Sequence, residues 1–362
     1  MPAVNELLQD KAVDRAIDLH HYERGIVLRL IAVLNRTDAR LTAQLSEALL
    51  QLDRDSFTVE RLDALLQSVR MLNGQAYAAV FAELGPELRT LAEVEGEYQA
   101  GLFRKTLPAA VQLQFPVAGV SLDQVYAAVV SRPFQGRLLA GWADNVEASR
   151  LTLIRNAVRQ GFVEGQTTAE IIGKVRGTRA LNYADGLLDR SRRELATVLQ
   201  TALSHTAQTA RGAFYDANAD VIKALKWTST LDSLTSPMCR VRDGLLYDPA
   251  THKPLGHKIP WLGGPGRLHF NCRSVSTPVT KSWRELGIPI DDLPAGSRAS
   301  MDGQVPADLT YADWLKRQSA ERQDEVLGPV RAKRFRAGEP MDKFYDDKGR
   351  WLTLTQLAKR GA

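Results

Sequence analysis

The chain has 362 residues, 44% of them hydrophobic and 25% charged, a balance that supplies a buried core and excludes wholesale disorder. A net charge of +5 permits a nucleic-acid neighbour without establishing one, and 7% aromatic residues advertise no extended base-stacking surface. With two cysteines, no basic-then-apolar pattern over Met1 to Asp10 and no run of about twenty apolar residues, the expectation is a chain made in a cytoplasm. A disulfide scaffold, a secretory leader and a membrane span are not expected.

The predicted fold is mainly α, with a small α+β module and a short extension after it. Residues 1–110 read as a helical region. Leu41, Leu45, Ala48, Leu49 and Leu52 recur at helical spacing, as do Leu62, Leu65, Leu66, Val69 and Leu72. Each stripe is an apolar face that needs a neighbour. Pro108 and Pro116 mark a linker or bend between about Thr106 and Gly119.

Residues 111–226 read as a second helical domain. Ser121 caps a helix carrying Leu122, Val125, Tyr126 and Val129, which stops before Pro133. Thr167 and Glu170 have capping-box spacing ahead of Ile171, Ile172 and Val175. The stretch from Gly161 to Arg176 has the outline of a helix-turn-helix, but no recognition residues stand out, and a plain helical hairpin is the expectation. A long helix is predicted over about Ser191 to Ala217, with Leu195, Val198, Leu199, Ala202 and Thr206 on its buried face. His205 on that helix reads as a satisfied core or surface histidine, and the pair His20-His21 as solvated.

The pattern changes at residues 227–285, the α+β module. Asp243-Gly244 signals a hairpin turn flanked by Val241 and by Leu245, Leu246 and Tyr247. Pro254, Pro260, Gly263, Gly264, Pro265 and Gly266 punctuate an irregular loop. Leu268, Phe270, Cys272 and Ser274 alternate with His269, Asn271 and Arg273 as in a short strand ending near Pro278. Residues 286–362 form the extension. Ile288 to Gly303 is loop-like, and a helix begins near Thr310 with Asp313 three residues on, running through Val326 and Leu327. Arg331, Lys333, Arg334 and Arg336 cluster after it. A turn followed by a short strand or helix start closes the chain after Asp347.

Within the module, Trp227, Asp232, Thr235, Cys239, Asp243, Gly244, His269, Asn271, Cys272 and Arg273 follow one another in an order that resembles the Mu protein F-like family of phage minor head, or head morphogenesis, proteins. The resemblance is specific over roughly Leu181 to Pro278 and looser over the Thr310 to Arg331 region. Phe270 stands where many members have Pro, and Ser274 where many carry a further cysteine. The resemblance implies a virion or procapsid component, assembled in the host cytoplasm. It further implies a few copies per particle, docked on portal or capsid proteins, close to packaged double-stranded DNA, with a role in packaging or ejection.

The chemistry of the motif leaves three readings of its cysteines open. Cys239, His269 and Cys272 are soft ligands suited to a structural zinc, with His257, His252, Asp232 or water as the fourth. In a regular strand His269 and Cys272 would face opposite ways, so a metal demands a turn there. The thiols can instead be small buried hydrophobes with His269 hydrogen-bonded nearby, or pair as a disulfide once a particle leaves the reducing host. Asp232 and Arg273 read as an ion pair, either buried and orienting the loops or solvated. Catalysis is not expected: there is no glycine-rich phosphate loop, and no orienter for a thiol–His269 pair stands out. The competing functions are a metal-dependent nuclease or hydrolase built on His269, Asn271 and Asp232, and a DNA-binding module contacting phosphates through Arg331, Lys333, Arg334 and Arg336.

Overall fold

Capping and periodicity account for most of the helical part. The computed structural model of the chain describes residues 4–51, 58–289, 297–306 and 308–360. Among the described residues the first eight α-helices are α1 (Val4–Leu50), α2 (Val59–Leu65), α3 (Gln67–Thr106), α4 (Ala109–Gln114), α5 (Leu122–Ser131), α6 (Leu139–Val163), α7 (Thr168–Arg176) and α8 (Leu187–Ala217). The predicted capping box is present at α7, where Thr167 Oγ1 accepts from the Glu170 N–H and Glu170 accepts from the Thr167 N–H. Leu41, Leu45, Leu49, Leu62, Leu66, Val69 and Leu72 are all buried. Leu52, the Leu65 side chain and residues 290–296 of the expected 288–303 loop lie outside the described residues. The linker read at 106–119 contains α4, preceded by Pro108, whose carbonyl accepts from the N–H groups of Val111 and Gln112.

The chain divides into two compact units that interleave along the sequence: residues 1–21, 92–129 and 204–362 in one, residues 22–91 and 130–203 in the other. The boundaries at 110, 226 and 285 were expected in series. The second unit buries Leu41, Leu45, Leu62, Val69, Ile154, Val158, Ile171 and Val175 in one cluster.

The first unit holds all the described sheet structure. β1 (Ile222–Thr228), β2 (Leu246–Tyr247), β3 (Pro254–Leu255) and β4 (Val275–Thr280) form an antiparallel sheet in the order β3-β2-β1-β4. Trp227 lies opposite Ser276 and Leu225 opposite Pro278. A proline is tolerated there because β4 is an edge strand whose outer N–H groups need no partner. A one-turn helix, α9 (Pro237–Arg240), sits between β1 and β2. Leu225, Trp227, Cys239, Tyr247, Trp261, Cys272 and Trp283 share one core with Phe103, Phe214 and Tyr215.

Four local expectations are corrected, one of them the 288–303 stretch expected as loop, of which Ser297–Ser300 is a strand paired with Gly303–Pro306. Asp243-Gly244 is a turn, with Gly244 at φ +81, but it delivers the chain to β2 after α9 and joins no adjacent strands as a hairpin. The strand expected at 268–274 is a turn, and the strand follows it as β4, because Asn271 adopts a left-handed backbone at φ +56, which Asn accepts more readily than most residues. The single helix expected from Thr310 to Leu327 is interrupted. After the hairpin of β5 (Ser297–Ser300) and β6 (Gly303–Pro306), Thr310 caps α10 (Tyr311–Lys316) as expected. Ser319 then caps α11 (Ala320–Leu327), and Gly328-Pro329 starts α12 (Pro329–Arg336). With α13 (Leu354–Arg360) these helices bury Tyr311, Trp314, Leu327, Phe335, Phe344 and Leu357 together with Leu231 and Val241.

Candidate functional site

The site grows from the two loops that leave β1 and enter β4. After Thr228 the chain turns away from the sheet, and the Ser229 N–H donates to Asp243 Oδ1 at 2.7 Å. Asp232 then organises the next turn. Its Oδ1 accepts from the N–H groups of Leu234 at 3.1 Å and Thr235 at 2.9 Å, and the Thr235 hydroxyl lies between Asp232 Oδ1 and the Thr230 carbonyl. Ser236 caps α9 and places Cys239 at its third position.

Arg273, directly after Cys272, reaches back to Asp232 with two hydrogen bonds of 2.6 and 2.9 Å. This fork-to-fork pair, partly buried, ties the two loops together. Asp232→Ala is expected to cost about 1–3 kcal/mol, because it strips acceptors from the Thr235 N–H and the turn as well as from Arg273. Arg273→Ala is expected to cost less than about 1 kcal/mol, as for a pair still reached by water. Urea unfolding of both variants checks the order; equal losses would mean that the turn does not depend on Asp232.

Between these loops lie the two thiols. Cys239 Sγ is 3.6 Å from Cys272 Sγ and 3.2 Å from His269 Nε2, and both cysteines are buried and unbonded to each other. Ser236 Oγ is 2.7 Å from the same His269 Nε2, and His269 Nδ1 is 2.8 Å from the Phe270 carbonyl. The Cys239 thiol is pushed well up by its hydrogen bond to Cys272 and by burial, so it keeps its proton. Cys272 is held well down by that same bond and by His269, against the effect of burial. Burial works against an imidazolium at His269, yet the bond and charge of Cys272 and the Phe270 carbonyl keep its pKa above the ordinary value.

Among the described residues, Cys239, His269 and Cys272 form the one group that can hold a metal, their ligand atoms all within 4.8 Å. His257 does not join them. Its Nε2 binds the Leu246 carbonyl at 2.8 Å and its ring meets Tyr247 edge-on. His252 stacks on Trp261, which packs edge-on against Trp227 and Tyr247. Two of the expected fourth ligands therefore serve an aromatic cluster, and Asp232 serves Arg273. Gly264 allows this cluster to close: at φ +85 a Cβ would lie 2.5 Å from the Trp261 ring nitrogen.

Other sequence candidates fall elsewhere. Asn271 makes the turn. His205 is buried, with Nε2 3.2 Å from the Val129 carbonyl. His20 is half-buried and His21 exposed, both along a groove with Thr228, Ser229, Thr230, Arg273 and Val275. The basic cluster lies on α12, and three of its four members are engaged within the unit. Arg331 donates to the Leu352 carbonyl and lies over the Trp351 ring, Arg334 pairs with Glu339, and Arg336 pairs with Asp324. Lys333 is exposed.

Sequence reasoning missed Arg240 and Arg242. Arg242, fully buried, donates to the carbonyls of Pro260, Met238 and Lys348 and lies over the Trp227 ring. Arg240 donates to the carbonyls of Val326 and Ser233. The available signal was Arg on both sides of Val241 in a stretch otherwise short of charge, since buried arginine satisfies several carbonyls at once.

No helix among the described residues is long and apolar enough to cross a membrane. No curated protein and no solved structure matches the chain. The family model described as Phage Mu protein F like protein matches residues 152–277, which takes in α8, β1, α9 and the Cys/His turn. Over this stretch the chain is similar to the Phage Mu protein F like family.

Proposed function

We propose that the protein is a minor head component that docks on the portal or inner capsid and acts during packaging or ejection of the genome, by assembly instead of turnover. The observation that carries this reading is the family match at residues 152–277, whose motif residues Trp227, Asp232, Asp243, Cys272 and Arg273 lie in one folded unit. The Asp232–Arg273 clamp and the Arg242 carbonyl contacts cross-link the loops of that unit, which suits a docking module. Both thiols are buried in one core with Trp227, Tyr247 and Trp261, and His269 is half-buried beside them, a setting that favours a structural role over a reactive thiol.

Packaged double-stranded DNA is a neighbour in this reading, tolerated through the net positive charge. A specific phosphate contact by α12 is not favoured, because Arg331, Arg334 and Arg336 already have carbonyl or carboxylate partners. The protein is expected to co-purify with procapsids and with portal complexes, at a few copies per particle, as read by quantitative mass spectrometry of purified procapsids and virions. Absence from both particles would sink the proposal.

A further inference from the structure

Three soft ligand atoms from two stretches thirty residues apart meet inside the sheet-bearing unit. The 3.6 Å between Cys239 Sγ and Cys272 Sγ is far longer than a disulfide bond of about 2.05 Å. It is close to the edge of a tetrahedron whose metal–sulfur bonds are about 2.3 Å, roughly 3.8 Å. The 3.2 Å from Cys239 Sγ to His269 Nε2 lies somewhat inside the corresponding sulfur–nitrogen edge of about 3.5 Å, a fit that a small movement of the ring completes.

The surroundings point the same way. The Phe270 carbonyl, 2.8 Å from His269 Nδ1, accepts a ring proton there, so the nitrogen open to a metal is Nε2, on the side of the Cys239 sulfur. This is the outer-sphere arrangement that orients metal-binding histidines. The left-handed turn at Asn271 brings His269 and Cys272 to one side, which a strand would have prevented. Ser236 Oγ, 2.7 Å from His269 Nε2, marks the side on which a fourth, oxygen donor enters.

We propose that Cys239, His269 and Cys272 bind one zinc-class divalent ion, with an oxygen donor beside Ser236 completing a tetrahedron. Binding displaces to solvent the proton of the Cys239 thiol and the proton held by the Cys272–His269 pair, and fastens α9 to the turn that leads into β4. The ion is structural: it closes the long Pro/Gly loop between those elements, whose ordering is otherwise opposed by chain entropy.

The full-length chain, purified without chelators, should carry one zinc per chain by elemental mass spectrometry. Cobalt(II) replacement should give the visible bands of a tetrahedral site and near-ultraviolet thiolate-to-cobalt charge transfer. Cys272→Ser and His269→Gln should weaken zinc binding by more than about 100-fold, since even outer-sphere partners are worth 10–100-fold. His257→Ala should leave zinc content unchanged. Should Cys272→Ser fail to fold, the cobalt spectrum of the unaltered chain still reads thiolate coordination directly. Folded wild-type protein that takes up neither zinc nor cobalt, or whose intact mass shows a Cys239–Cys272 disulfide in place of metal, would overturn the proposal. So would a folded Cys272→Ser chain with wild-type zinc affinity.

Discussion

Asp243→Ala is expected to lower the stability of the sheet-bearing unit by roughly 2–6 kcal/mol, from two stranded backbone donors at about 1–3 kcal/mol each. One carboxylate oxygen accepts the Ser229 N–H at 2.7 Å and the other accepts the Tyr311 N–H at 2.8 Å. Ser229, Asp243 and Tyr311 are all buried, so water does not readily replace the lost acceptors. The carboxylate thus joins the family-motif loops to the first turn of α10, sixty-eight residues later. Asp243→Asn keeps one acceptor oxygen and turns an amide donor toward the other N–H, so an intermediate or equal loss is expected. Urea unfolding followed by tryptophan fluorescence reads the effect. A loss of under about 1 kcal/mol for the alanine variant would show that neither N–H depends on Asp243.

Glu95→Leu is expected to cost about 3–5 kcal/mol, for a different reason. Glu95 on α3 is fully buried and accepts from Arg211 of α8 at 3.0 and 2.6 Å, from Arg15 of α1 at 3.0 Å and from Gln99 at 2.8 Å. Arg211 is itself fully buried, so removing the carboxylate leaves an uncompensated guanidinium in an apolar setting. The double variant Glu95→Leu/Arg211→Leu removes the two fully buried charges and leaves Arg15, whose side chain reaches solvent, so much of the stability should return. Denaturant unfolding of the two single variants and the double variant forms the cycle that measures this coupling. If the double variant is no more stable than Glu95→Leu alone, the stranded charge is not the source of the loss.

The parts of the fold legible in the sequence were those set by neighbours a few residues apart. Thr167 with Glu170, and Thr310 with Asp313, announced helix starts because a cap needs only a side chain and an N–H three positions on. The apolar stripes at Leu41 to Leu49 and at Leu195 to Ala202 announced buried faces for the same reason. What escaped depends on residues far apart. The turn at His269 to Asn271 looked like a strand because alternation is shared by both, and a single positive φ at Asn271 decides between them. His257 looked like a ligand until Tyr247 and the Leu246 carbonyl were seen to hold it. The α12 arginines looked like a phosphate-facing stripe, and their partners at Leu352, Glu339 and Asp324 gave them another use. The Asp232–Arg273 pair was read correctly as a pair, because opposite charges within one motif have few other partners.

The interleaving of the two units separates evolutionary boundaries from physical ones. The stretch matched by the family, residues 152–277, draws residues 152–203 from one unit and 204–277 from the other. Cut out alone, it would leave Leu231 and Val241 without the C-terminal helices that cover them, and Leu225 and Trp227 without Phe103. Its apolar residues would then lack the surfaces that bury them. The family match marks one continuous stretch, but the sheet-bearing unit is assembled from segments on both sides of that stretch as well as from part of it.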